Sequence, residues 1–189
     1  VIRTLSKDLD MENKSVINLG YAGNGPLINL ATLKEYINPR VEKVLWFYTP
    51  SNDNLNLRKE FTSKRLKKYF YDKNFSQNLI LKQKKIDQIA TKILNKKKEK
   101  IQSFSLSKII KIIKLNTLRT KFTRIENIPV DHKFKEIIDK VNDVVKSNNS
   151  KLYFLYLPNE TIYFNKDFID KDYSKVKKIV QDYDVSFIN

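Results

Sequence analysis

Two short segments rich in glycine and asparagine could bring polar groups to a ligand. The first, Gly20–Gly25, follows the apolar run SVINL, and the second, Thr49–Asn54, follows the apolar run KVLWFY. Glycine lets the backbone approach a ligand closely, and an asparagine amide donates hydrogen bonds without carrying a charge. Because Gly, Asn, Asp and Ser also dominate ordinary turns, each segment taken singly is better explained as a turn.

The single histidine and two pairs of aspartates are the other candidates for chemistry. His132 could act as a base, but it directly precedes a helical pattern, which favours a structural or surface role. The pairs Asp170/Asp172 and Asp182/Asp184 could bind a metal or act as acid and base. Their positions beside a predicted helix favour helix-start and surface charges instead. We therefore expect neither a metal site nor a cofactor.

Strand and helix patterns alternate around the two glycine- and asparagine-rich segments. Ser15–Leu19 is predicted as a strand, a helix begins at Pro26, and Lys43–Tyr48 has the continuous apolar character of a strand buried on both faces. This order is a βαβ unit, whose loops lie at the carboxyl edge of a parallel sheet, where such folds bind ligands. We therefore expect both segments to face the same site.

The rest of the chain predicts a run of helices and then a return to βα alternation. Helices are expected near Lys59–Tyr71, Ser76–Gln102 and Leu106–Leu115, followed by a helix at His132–Lys146, a strand at Lys151–Leu157, a helix at Tyr173–Gln181 and a strand at Asp184–Ile188. The sequence thus predicts one α/β domain over residues 1–189, with a basic helical insertion at residues 59–125.

The two segments and the strands before them resemble conserved blocks of the SGNH/GDSL hydrolases. The strings are VINLGYAGNGP at residues 16–26 and VLWFYTPSND at residues 44–53. They look like the family's second and third blocks, in which a glycine N–H and an asparagine side chain bind the tetrahedral oxyanion. The resemblance implies that Gly23 is the backbone donor and Asn52 the side-chain donor. It also implies a three-layer α/β/α fold with a parallel sheet, similar to that of flavodoxin.

The catalytic blocks of that family do not occur in this sequence. A Gly-Asp-Ser motif, which would carry the nucleophile, is absent, and no Asp-x-x-His motif follows the last predicted strand. By element order the first block would precede Val1 and the second would follow Asn189, so we expect a domain incomplete at both ends. Pro50 and Ser51 also replace the family's glycine next to Asn52.

The resemblance implies an esterase, acyl hydrolase or acyltransferase whose serine nucleophile lies outside this chain. Its substrate would be an acyl ester, either of a small molecule or of a polysaccharide. The 189 residues alone should be inactive, because nothing in them can form the acyl-enzyme. A catalytically dead domain of the same fold, in a surface-polysaccharide system, is the alternative within this family.

One part of the chain carries its net charge of +16. Between Lys64 and Arg124 there are 19 Lys and Arg against 3 acidic residues, and the flanking parts are balanced. A lysine-rich composition bias could explain many of these lysines, but it does not explain the neutral flanks. The segment is therefore either a solvated helical surface or a surface that docks on an anionic partner.

The lysines of one predicted helix suggest what that partner could be. Lys108, Lys111 and Lys114 flank a broad isoleucine face that could lie on an anionic membrane surface or pack on the domain, the second of which we favour. Nucleic acid is less favoured, since only three of the 19 basic residues are arginine and no binding signature occurs. The alternative to an enzyme is thus a non-catalytic module that docks its basic segment on an anionic membrane surface or polyanion.

Composition sets the remaining limits. A chain of 189 residues with 41% hydrophobic residues can bury a core of one domain. No uninterrupted apolar run reaches the length of about 18 residues that indicates a transmembrane helix, and no signal-peptide pattern is present. The absence of cysteine excludes disulfides and thiolate metal sites but leaves the compartment open.

Overall fold

The computed structural model describes residues 16–102, 132–159 and 170–189. Within these ranges the chain has the predicted α/β fold, with an open sheet of three parallel strands. The helices are α1 (Pro26–Tyr36), α2 (Pro50–Glu60), α3 (Lys64–Tyr71), α4 (Gln83–Gln102), α5 (His132–Ser147) and α6 (Tyr173–Gln181), and the strands are β1 (Lys43–Tyr48), β2 (Lys151–Tyr156) and β3 (Ser186–Ile188). A short 3₁₀ helix, Ile80–Lys82, directly precedes α4.

The strands lie in the sheet in the order in which they occur in the chain. β1 pairs with β2 over its whole length, with Lys43 opposite Lys151 and Tyr48 opposite Tyr156. β3 pairs with Tyr153–Leu155 of β2, so that Phe187 lies opposite Phe154. All three carboxyl ends therefore meet at one edge, as the βαβ interpretation requires.

One face of this sheet forms the core with helices α5 and α6. The strand residues of this face are aromatic, and the Tyr48 ring lies 4.9 Å from that of Phe134 on α5 and 5.3 Å from that of Phe154 on β2. On the same face, the Tyr156 ring meets that of Tyr173 on α6 at 5.3 Å. α5 reaches the core because its apolar residues recur every three or four positions.

The opposite face of the sheet is less covered than its apolar sequence predicts. Leu45 and Phe47 of β1 remain 53% and 52% exposed, whereas their neighbours Trp46 and Tyr48 are buried. The expectation that β1 is buried on both faces is therefore wrong. A continuous apolar run suits either face of a sheet but does not specify how many faces are covered. Of the three predicted layers, the described residues supply the sheet and one helical layer.

The buried carboxylate of Glu35 on α1 connects this helix to the chain that follows α3. It accepts hydrogen bonds from the backbone N–H groups of Gln77 at 2.5 Å and Leu79 at 2.8 Å, and from the hydroxyl groups of Ser76 at 3.0 Å and Tyr69. Four donors from one stretch of chain thus converge on a single side chain.

Several predicted boundaries differ from those of the structure. Residues 16–19 form no strand, and Val16 and Ile17 are exposed, because a strand requires a neighbour and no described strand pairs with them. The helix predicted at Lys59–Tyr71 is divided, since Ser63 begins α3 by accepting the Leu66 N–H at 3.3 Å. The predicted helix Leu106–Leu115, with Lys108, Lys111 and Lys114, lies outside the described residues.

Candidate functional site

Gly23 lies in an exposed turn just before α1. Its φ of +90° is a conformation that side chains with a Cβ rarely adopt, so this position favours glycine. The turn is closed by a hydrogen bond of 3.1 Å from the Asn24 N–H to the Tyr21 carbonyl. Nothing lies within 4 Å of the point where a Gly23 Cβ would be, so the backbone here is open to solvent.

Asn52 lies in the first turn of α2, immediately after β1. The loop predicted at Thr49–Asn54 is in fact the start of this helix, with Pro50 at the first turn and the Asn52 N–H donating to the Thr49 carbonyl at 3.1 Å. The Asn52 residue is exposed. Its amide is therefore held at a helix start at the carboxyl edge of the sheet and faces solvent.

Contacts further along α2 bring the two segments together. A Cβ built on the buried Gly25 would lie 2.7 Å from Asn56 Cβ, so Gly25 allows this turn to approach α2 closely. Asn56 is one helical turn after Asn52, and residues four apart lie on the same side of a helix, about 6 Å from each other. Gly25 thus packs against the second half of α2, on the side that carries Asn52 one turn earlier, and among the described residues no contact joins Gly23 to Asn52.

Glu60, at the end of α2, stabilises this contact between α2 and the start of α1. Its carboxylate accepts the Gly25 N–H at 2.5 Å and the Leu27 N–H at 2.9 Å, and also bonds to the Ile28 N–H. These are donors that the first turn of a helix cannot satisfy internally. Glu60 therefore caps α1 from outside, and the start of α1 is not open to an anionic ligand.

Two buried carboxyl groups lie on the inner side of α2. Asp53 accepts the Thr49 N–H at 2.6 Å and is only 7% exposed. Burial, opposed by this hydrogen bond and reinforced by the charge of Glu60, raises the pKa of Asp53 to about 7. Burial also raises the pKa of Glu60, although its bonds to the start of α1 counteract the effect.

Two tyrosines complete the edge from the strand side. The Tyr48 hydroxyl donates to Asn54 Oδ1 at 2.9 Å, and the Tyr156 hydroxyl donates to Asp170 Oδ2 at 2.7 Å. Burial is the main cause that raises the pKa of both tyrosines well above the ordinary value. Both hydroxyls are therefore neutral hydrogen-bond donors that position neighbouring side chains.

Most of the other residues selected from the sequence lie at helix ends, whereas Asp184 lies in the turn before β3 with a φ of +58°. His132 is exposed at the start of α5. Asp172 is at the N-cap of α6, and its N–H donates to Asp170 at 3.2 Å. Asp182 ends α6 and forms an exposed ion pair with Lys135 at 3.2 Å. Among the described residues, no group of histidines and acids has an arrangement that could hold a metal ion.

Sequence reasoning missed Asp53 and Glu60, although the pattern contains a signal for them. Both face inward on α2 with Leu57 between them, at positions i, i+4 and i+7. An acidic residue at such a position of a helix must find hydrogen-bond donors, because an unpaired buried charge is very costly. Because Thr49–Asn54 was predicted to be a loop, this helical spacing was not recognised.

The arrangement offers uncharged hydrogen-bond donors at the surface of a rigid edge. The Gly23 turn and the Asn52 amide are exposed, whereas the donors at the start of α1 are already bound by Glu60. Such donors suit an oxygen that gains negative charge during a reaction. In the described ranges no helix is both long and apolar enough to cross a bilayer. Comparison of the chain with family models, curated proteins and solved structures finds no match.

Proposed function

We propose that this chain is the central part of an SGNH-like acyl hydrolase or acyltransferase domain. In this proposal the Gly23 N–H and the Asn52 side chain form the oxyanion hole, and the serine nucleophile is supplied from outside these 189 residues. The substrate is an acyl ester of a small molecule or a polysaccharide. Exposed, uncharged donors are the feature that this chemistry requires, and Asn52 offers one at the carboxyl edge of the parallel sheet.

The contact of Gly25 with α2 is the observation that carries the proposal. Gly25 packs against Asn56, and Glu60 bonds to the backbone on both sides of Pro26. This contact brings the residue two positions after Gly23 against α2, the helix that carries Asn52 in its first turn, and so supports a shared site.

The chemical reason for these two donors is the change in charge during acyl transfer. The carbonyl oxygen of the ester becomes an oxyanion only as the acyl carbon becomes tetrahedral. Donors that already point to this position stabilise the transition state more than the substrate. Neither donor titrates, so this contribution should be independent of pH.

The test uses the complete protein encoded by the gene, with flanking sequence included. A fluorophosphonate probe should label a serine, and p-nitrophenyl acetate should be hydrolysed. Asn52→Ala should lower kcat by about 10²-fold with little change in KM, since one oxyanion donor contributes this much. Gly23→Ala should act in the same direction, because alanine strains a φ of +90°.

Leu55→Ala is the matched control, because Leu55 is on the exposed side of α2 close to Asn52. It should leave kcat unchanged. If the complete protein carries no reactive serine, the hypothesis that it is an acyl hydrolase or acyltransferase is wrong. If a reactive serine is present but Asn52→Ala behaves like Leu55→Ala, the oxyanion assignment is wrong.

A further inference from the structure

α4 is a helix of 20 residues that makes little contact with the other described helices and strands. From Gln83 to Lys96 every residue except Ile86 is exposed. The adjoining 3₁₀ helix is the only described element with an extended contact to it. An unpacked helix is marginally stable in water, because it buries no apolar surface. A partner that covers α4 would supply this stabilisation.

The side chains of α4 divide into an apolar stripe and a polar face. Ile86, Ile89, Ala90, Ile93 and Leu94 cover an arc of about 140° at 100° per residue. Ile89, Ile93 and Leu94 are 49%, 51% and 59% exposed. Three large aliphatic side chains on successive turns are thus in contact with water, which is unfavourable unless something covers them.

Lysines follow one border of this stripe. Lys85, Lys92 and Lys96 all lie within about 60° of Ile89 around the helix axis. Asp87 is the one acidic residue between Gln83 and Lys96, and it accepts a local hydrogen bond from Gln83 at 2.7 Å. The partner of α4 must therefore accept aliphatic side chains and cations side by side.

We propose that α4 lies in the plane of a membrane surface containing anionic phospholipids. Its isoleucines enter the boundary between headgroups and acyl chains, and its lysines bind the phosphates of the headgroups. A helix of 20 residues is about 30 Å long and lies on the bilayer in this arrangement, so it does not span it. The inference is independent of the acyl-transfer proposal, since no residue of α4 belongs to the oxyanion site.

The residue types of α4 favour a lipid surface over a nucleic acid. A polyanion would neutralise the lysines but would leave Ile89, Ile93 and Leu94 in water. Between Gln83 and Lys96 there is no arginine to bind phosphate in bidentate fashion and no aromatic ring on which a base could stack. The exposed Leu81 in the preceding 3₁₀ helix extends the apolar surface toward the domain.

Vesicle flotation with the 189-residue chain tests the proposal. The chain should float with vesicles of phosphatidylcholine and phosphatidylglycerol in equal parts, and remain free with phosphatidylcholine alone. The triple variant Lys85→Gln, Lys92→Gln, Lys96→Gln should bind about a hundredfold more weakly, since each lysine near an anionic surface contributes about a factor of five. Added salt should weaken binding of the original chain.

Two matched pairs of serine substitutions separate the apolar stripe from the polar face. Ile89→Ser with Ile93→Ser should reduce binding by about tenfold or more, because both side chains lose their apolar transfer into lipid. Gln88→Ser with Asn95→Ser, on the opposite side of the same helix, should not change it. All four residues are exposed and all become serine, so far-UV circular dichroism in solution checks that the two double variants have the same helix content.

The absence of cysteine allows a site-specific measurement of insertion. A nitrobenzoxadiazole label on Ile93→Cys should shift its emission to the blue on binding anionic vesicles, and the same label on Asn95→Cys should not. The proposal would be overturned if the two double serine variants bound anionic vesicles equally well. It would also be overturned if the original chain did not bind these vesicles. Binding to a single-stranded oligonucleotide that depends on the lysines and is unchanged by Ile89→Ser with Ile93→Ser would also overturn the proposal.

Discussion

Asp53 and Glu60 place two carboxyl groups where a helix normally places leucines. Both are buried on the inner side of α2, and both depend on backbone N–H donors from outside their own turn of helix. Such groups contribute specificity more than stability, because desolvation offsets much of what their hydrogen bonds supply. For this chain, they fix α2 against the start of α1 and against the end of β1.

The raised pKa of Asp53 makes the stability of the fold depend on pH. Its folded pKa of about 7 exceeds the ordinary value of 3.8, so the folded state holds a proton that the unfolded state releases. Stability therefore falls as pH rises from about 4 to about 7, by up to ~4 kcal/mol from this group. Asp53→Asn keeps an oxygen for the Thr49 N–H but does not titrate. Urea denaturation from pH 4 to 8 should show that the free energy of unfolding of the variant rises relative to that of the original chain as pH rises.

Asp139→Asn is the control for this prediction, because Asp139 is an exposed aspartate on α5. It measures the effect of replacing an aspartate by asparagine at the surface of the same fold. Glu60 has a raised pKa for the same main cause, burial, so part of the decline should persist in Asp53→Asn. A stability difference for Asp53→Asn that does not change between pH 4 and 8 would show that Asp53 titrates normally in the folded chain.

Among the elements, β1, β2, α5 and α6 were predicted to within one residue because their own residues determine them, whereas α4 begins at Gln83 and not at the expected Ser76. β1 begins and ends where its apolar run does, and α6 has the predicted bounds. The start of α2 was not predictable from local composition, since Pro, Ser, Asn and Asp are the residues both of turns and of helix beginnings. Residues 16–19 show the opposite case, because an apolar run becomes a strand only beside a partner.

For the candidate site, the sequence located the start of α2 at the carboxyl edge of the sheet, but the strand expected before the Gly23 turn does not form. The Gly23 turn and the start of α2 were expected at one edge of the sheet from the order of elements alone. The contact between Gly25 and Asn56 depends on the path of α2, which no local pattern encodes. Glu35 is similar, because its four donors come from residues at least 34 positions away.

The Glu35 carboxylate should determine whether the segment after α3 stays attached to α1. Burial alone would raise its pKa, but donors from Leu79, Tyr69, Gln77 and Ser76 together hold it below its ordinary value. Glu35→Gln replaces one of the two accepting oxygens by an NH₂ group, which cannot accept a hydrogen bond, and should weaken the attachment by about 2 kcal/mol. Hydrogen exchange of the Gln77 and Leu79 amides should then accelerate by about thirtyfold.

Glu136→Gln, on the exposed side of α5, controls for the loss of one negative charge and should leave these amides unchanged. Because the pKa of Glu35 is lowered, the stability that it supplies is present above its ordinary pKa of 4.5 and is lost as the pH falls. Exchange at Gln77 and Leu79 should therefore also accelerate in acid, relative to amides of α5. Unchanged exchange in Glu35→Gln would show that other contacts hold this segment.

At the scale of the whole molecule, one stretch of the sequence carries the net charge. Residues 1–63 and 125–189 together hold equal numbers of basic and acidic residues, whereas residues 64–124 carry the surplus that gives the net +16. Charges of one sign that are brought together by folding repel each other, and this repulsion destabilises the compact state. A surface that binds anionic lipid would use the same positive charge. Each lysine would therefore raise the affinity for lipid and lower the stability of the chain when no lipid is bound.

Salt should therefore stabilise the isolated chain. Raising sodium chloride from about 0.01 M to about 0.3 M shortens the Debye length from about 30 Å to about 6 Å and screens repulsion among the lysines. The exposed Lys135–Asp182 pair loses at most about 1 kcal/mol, so repulsion should dominate. Thermal unfolding followed by circular dichroism should show a melting temperature about 2–4 °C higher for each kcal/mol gained.

The triple variant Lys85→Gln, Lys92→Gln, Lys96→Gln carries three positive charges fewer, so its melting temperature should rise less with salt. Potassium chloride should act like sodium chloride, because screening depends on ionic strength and not on the identity of a monovalent cation. A melting temperature that falls as salt is added would mean that ion pairs outweigh repulsion. The lysines would then be paired with acidic residues of the chain itself, and α4 would gain little from an anionic surface.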